Sequence, residues 1–126
     1  MTRSLSRLGS TVLAAGLLLA VASPAFAFQA SFKWCSGSPD FVLKDVPKGT
    51  AKIRLKMTDL NVPSFRHGGG EVAWSGKGTI ACGALNSTWV GPSPPSGSHT
   101  YRWSILAIGA DGKTLGEATA QRRFPE

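Results

Sequence analysis

The sequence predicts an all-β fold: a single antiparallel β domain with little helix, closed as a sandwich or a partly open barrel. Three observations carry that reading. The stretch "AKIRLKMT", residues 51–58, alternates Ala51, Ile53, Leu55 and Met57 with Lys52, Arg54, Lys56 and Thr58, the period of a half-buried strand. Residues 101–122 read as a hairpin, because "YRWSILAIGA" and "TLGEATAQRR" flank an Asp-Gly turn at Asp111 and Gly112. No stretch holds a helical period beyond two turns, and neither repeats nor internal linkers are present.

Taken in order, the chain opens with Arg3 and Arg7 ahead of the apolar run "TVLAAGLLLAVA" and the segment "SPAFA". Ala25 and Ala27 hold the small-residue positions of a signal-peptidase site, so residues 1–27 are expected to be cleaved and residues 28–126 to form the mature domain. The apolar run is short of the ~20 residues a helix needs to span a bilayer, so the mature chain is expected to hold no transmembrane segment. No cysteine follows the site directly, which argues against a lipid anchor. The product is then periplasmic or secreted.

Weaker strands follow at "FKW" (32–34), "FVL" (41–43), "EVAW" (71–74) and "GTIAC" (78–82), separated by the turn-forming "VPKGT", "GGG" and "SGKG". Composition also allows a short helix near Ala84 to Ser87. In the hairpin, Tyr101, Trp103 and Ile105 oppose Arg102 and Ser104, and Leu106 to Ile108 then turn apolar on both faces, as in a strand that ends deep in a core.

Removing Arg3 and Arg7 from fourteen basic side chains leaves twelve against seven acidic ones, a net charge of +5. Such an excess suits anionic partners, but lysines alternating with apolar residues equally describe the wet face of a sheet. Charge alone names no partner, and nucleic acid is not expected. The two cysteines, Cys35 and Cys82, both lie in the exported part, where an even count favours a disulfide. Closing that loop would stabilise the fold by roughly 3–4 kcal/mol on the chain-entropy estimate. The cysteines and histidines lack the short spacings of common zinc sites, so neither metal nor cofactor is expected.

Catalysis finds little support. "HGGG" (67–70) matches the oxyanion loop of some esterases, but the Gly-x-Ser-x-Gly elbow and the large α/β sheet of those enzymes are missing. The unusual residues fall instead at two strand ends. "DLNVPSFRHGGG" places Asp59, Pro63 and His67 just after the strongest strand, and "GPSPPSGSHTY" places Gly91, Pro92, Pro94, His99 and Tyr101 just before the next. Two such loops can meet at one end of a sheet. Prolines fix φ and remove backbone donors, so the second loop keeps its shape without a hydrogen-bond ladder. Two imidazoles and a phenol can hold phosphate or carboxylate oxygens, with Asp59 either orienting an imidazole or accepting from an amine. The plainer alternative is that the prolines block edge pairing and the histidines are ordinary surface residues.

These residues resemble the phosphatidylethanolamine-binding protein family, which includes the Raf kinase inhibitor proteins and small bacterial relatives. That family's loop, Gly-Pro-x-Pro-Pro-x-Gly-x-His-Arg-Tyr, is matched by Gly91, Pro92, Pro94, Pro95, Gly97, His99 and Tyr101. Its Asp-Pro-Asp-x-Pro segment and following His resemble Asp59, Pro63 and His67 with a shortened connection, and "SPDFVLKDVPKGTAKIRLKMTD" resembles its lead-in. The chain departs from the pattern at Leu60, Asn61, Gly68 and Thr100; the second Asp and the Arg after the His are both replaced. The resemblance implies a β-sandwich with a small anion pocket formed by Asp59, His67, Gly91, Pro92, Pro94, His99 and Tyr101. Trp34, Trp74, Trp89 and Trp103 would be core or pocket wall. The function it implies is non-enzymatic binding of a small anionic or phosphate-bearing ligand of the phospholipid-headgroup type. The alternative is an inhibitor of a hydrolase or protease that uses the proline-loop rim as a contact surface.

Overall fold

The protein is described by a computed structural model covering residues 26–126 together with Gly9 and Gly16. The remaining residues of the expected signal peptide lie outside it. The chain forms strands β1 (Phe26–Ala27), β2 (Gln29–Lys33), β3 (Asp40–Lys44), β4 (Thr50–Asp59), β5 (Gly69–Ala73), β6 (Thr79–Ile80), β7 (His99–Gly109) and β8 (Thr114–Phe124). No helix occurs among the described residues. They build a five-stranded sheet in the order β1-β8-β7-β4-β5 and a three-stranded sheet in the order β2-β3-β6.

All pairings are antiparallel except β1 with β8, where Phe26 and Ala27 lie parallel to Gly116 and Glu117. The larger sheet is therefore mixed, through two residues that precede the expected cleavage site, whereas every strand pairing within residues 28–126 is antiparallel as expected. Phe28, the first residue after the expected cleavage site, donates its N–H to the Glu117 carbonyl at 3.1 Å and is buried.

The central β4–β7–β8 ladder follows from alternation. Ile53, Leu55 and Met57 on β4 and Tyr101, Trp103, Ile105 and Ala107 on β7 point inward and are at most 2% exposed. Ala51, expected inward, is exposed, because a register shift between Thr50 and Lys52 breaks the period there. Phe32, Phe41, Leu43 and Ile80 of the smaller sheet complete the core, and Phe41 meets Trp103 edge-on at 5.0 Å between ring centroids. The sandwich is thus two inner faces packed on one apolar layer. Of the four tryptophans, Trp103 lies within this core and Trp34, Trp74 and Trp89 pack half-buried against it.

The β7–β8 turn closes through Gly112 N–H on the Gly109 carbonyl at 2.9 Å and Gly109 N–H on the Lys113 carbonyl at 2.8 Å. The segment 82–88 forms successive turns in place of the short helix that composition allows. Its bonds run from Ala84 N–H to Ala81, Asn86 N–H to Gly83 and Thr88 N–H to Leu85. Cys35 and Cys82 are joined in a disulfide that ties the end of the β2 segment to this turn.

Candidate functional site

The inward period of β4 does not stop at its last apolar residue. Asp59 is the next inward position, and it stands opposite Tyr101 of β7 in the ladder. His99 lies two residues before Tyr101 and so emerges on the same face, within diagonal reach of Asp59. The two bond: His99 Nδ1 lies 2.6 Å from Asp59 Oδ2. The other carboxylate oxygen accepts the N–H groups of Asn61 at 2.8 Å and Val62 at 3.2 Å, an Asx turn that bends the chain out of β4. Both oxygens accept hydrogen bonds, and the bond from Oδ2 to His99 Nδ1 fits the imidazole-orienting role, while Oδ2 keeps a lone pair for a further donor.

Asp59 is only 4% exposed. Burial by itself would raise its carboxyl pKa. The His99 bond, the two backbone N–H groups and the His99 charge outweigh burial and hold it below the ordinary value of 3.8. Burial, with the Asp59 charge behind it, pushes the Tyr101 hydroxyl up from 10.0.

His67 reaches the same place from the far side of the loop. Gly68, at φ 75°, and Gly69, at φ 157°, let the chain turn back tightly against β4, where a Cβ on Gly69 would sit 1.9 Å from the Leu55 carbonyl oxygen. The chain is then pinned by Gly69 N–H on the Thr88 carbonyl at 3.1 Å and Val90 N–H on the His67 carbonyl at 2.7 Å. The His67 ring is buried, and its Nδ1 meets the Val90 carbonyl at 2.7 Å, so Nδ1 carries the proton as donor and Nε2 remains for a ligand. The same logic leaves Nε2 of His99 free, since its Nδ1 faces the carboxylate.

The two histidines meet on Tyr101. His67 stands edge-on to the phenol at 5.4 Å, and His99 stacks along it at 6.3 Å. This brings together Asp59, His67, His99 and Tyr101. The proline loop is less engaged. Gly91 lies over the Trp89 ring, while Pro92 and Pro94 are half-buried in the connection to β7, and no hydrogen bond or ring contact among the described residues ties them to the cluster. Ser98 anchors the loop's end, its hydroxyl donating to the Pro125 carbonyl at 2.8 Å.

A groove of about 710 Å³ opens beside His67, along the outer side of β4, with Lys56, Pro63, Phe65 and Arg66 among its walls. Asp59, His99, Tyr101 and the proline loop do not line it.

Three participants escaped the sequence reading. Phe65 lays its ring on His67 at 4.5 Å, and Val90 holds the His67 backbone and ring. Asn61, noted only as a replacement, accepts the Thr100 N–H on its side-chain oxygen at 2.9 Å, while Leu60 N–H donates to the Thr100 carbonyl at 2.8 Å. Residues 60, 61 and 100 thus link the two loops, through an amide and the backbone. Only Val90 had a local signal, its place directly before Gly91.

No family model and no curated protein matches the sequence. Among solved structures, the chain is similar to a phosphatidylethanolamine-binding protein homolog from Chlamydia trachomatis, with a TM-score of 0.62 and 17% sequence identity over 79% of this chain and 98% of that one. The likeness establishes the all-β fold.

Proposed function

We propose that this chain is an exported, non-enzymatic binding protein for a small phosphate-bearing anion of the phospholipid-headgroup type, held over Tyr101 between His67 and His99. One observation carries the reading: a loop histidine and the first residue of β7 converge on one buried phenol, each with Nδ1 already committed and Nε2 left over. An imidazolium at either position can donate Nε2–H to a phosphate oxygen. Asp59 accepts from the other nitrogen of His99, which fixes the ring's direction. The fold neighbour's name and the matched proline loop favour the same ligand class. The disulfide accords with an oxidising compartment.

The test is an NMR titration of the histidine ring signals with inorganic phosphate and with phosphoethanolamine. Both rings should shift together along one binding curve. His99→Ala should remove the response at His67 as well, with the fold retained at a lower thermal midpoint because Asp59 loses one of its three partners. Lys113→Gln, in the turn at the opposite end of β7, should leave both responses unchanged. Independent shifts at the two rings, or an unaltered affinity without His99, would mean that no shared site exists.

A further inference from the structure

Five large apolar side chains stand exposed among the described residues, and three of them surround His67: Val62, Phe65 and Val90, at 41%, 51% and 53%. They are joined. Phe65 N–H donates to the Val62 carbonyl at 3.1 Å, the Phe65 ring lies on His67, and Val90 is bonded to His67 through both its N–H and its carbonyl. Exposed apolar side chains held close together by the backbone bonds around one residue mark an interaction surface.

The groove beside it brings Lys56 and Arg66 to the same rim. Further along β4, Glu71 engages Lys52 at 3.2 Å and Arg54 at 2.7 Å. Lys56 and Arg66 form no ion pair among the described residues. This end of the molecule therefore presents an apolar tip flanked by two uncompensated cations.

We infer that this tip seats on an anionic phospholipid bilayer, with Val62, Phe65 and Val90 entering the interfacial layer and Lys56 and Arg66 meeting lipid phosphates. A bilayer is complementary on both counts, offering acyl carbon beneath a layer of negative charge. A dissolved polyanion would satisfy the cations and leave Phe65 wet. An apolar protein surface would cover Phe65 and strand the cations. The inference rests on the headgroup reading above, and it names the bilayer as the source of the headgroup. His67 is the hinge between the two, since its ring touches Phe65 on the tip and Tyr101 in the site.

The experiment is co-sedimentation with phosphatidylcholine vesicles, with and without phosphatidylglycerol. The protein is purified in the form the cell accumulates, and its N-terminus is read by mass spectrometry. Binding should require phosphatidylglycerol and weaken with salt. Lys56→Gln with Arg66→Gln should lower partitioning about twenty-five-fold, each cation near an anionic surface contributing about fivefold. Phe65→Ser with Val90→Ser should lower it about tenfold through lost apolar burial. These positions are exposed, so the variants should keep the wild-type thermal midpoint; Lys113→Gln should bind like the wild type.

Equal partitioning of all variants, or no binding by the wild type, would overturn the inference. If phosphoethanolamine still shifts His67 and His99 in that case, the headgroup reading survives and only the docking fails. Vesicle binding with the expected losses but no histidine response would uphold the membrane tip and overturn the headgroup site beneath it.

Discussion

The two faces of β4 carry opposite kinds of chemistry. Inward lie Ile53, Leu55, Met57 and then Asp59, all nearly or fully buried; outward lie Lys52, Arg54 and Lys56, half-buried or exposed. On the inner face each side chain is out of water, so an error there is felt in full. A buried carboxylate is tolerated only because His99 and two backbone N–H groups satisfy it. On the outer face water can replace a lost partner, so the Lys52–Glu71 and Arg54–Glu71 pairs contribute little. The candidate anion site thus continues the core face, whereas the cations of the proposed membrane tip belong to the wet face.

The sharpest way to break this comparison is Leu55→Asn. It removes apolar contacts and buries an unsatisfied amide, and should cost about 4 kcal/mol in urea unfolding. A cost equal to that of Lys56→Asn would mean the faces are assigned the wrong way round.

Asp59→Asn sits in the middle. The amide keeps an acceptor for Asn61 and Val62 but loses the charge that pairs with His99, so about 1–2 kcal/mol should disappear at neutral pH. The pH dependence has a definite sign. Because the folded pKa lies below 3.8, this stabilisation is present above the unfolded value and lost as pH falls through the folded one. The wild type should therefore lose stability steeply in acid, and the variant should show a flatter acid limb in thermal melts. Parallel acid limbs would remove Asp59 from that role.

The smallest effect is expected at Lys52→Gln, which should leave the urea midpoint unchanged within error. A clear loss there would mean that the Glu71 pairs are coupled into a network.

The fold was legible because its main signals are local. Alternation over 51–58 and the Asp-Gly turn each depend on residues a few positions apart, and they placed β4, β7 and β8 to within two residues at their ends. The disulfide was legible by count, since two cysteines allow one pairing. The parallel β1 pairing was not, because two residues carry no period.

By itself, the sequence determined the strands other than β1, the hairpin, the disulfide and the identity of the polar residues at two strand ends. Only the tertiary structure decided how those residues are used. It gave Asp59 three partners, His99 among them at a separation of 40 residues, and set Val90 against His67 across 23. It also brought both histidines to one phenol, left Pro92 and Pro94 at the margin, and exposed Phe65 on the rim. The physical reason is range. Periodicity and turn chemistry act between neighbours in the chain. A site made where two loops meet depends on sheet order and ladder register, which no single segment encodes.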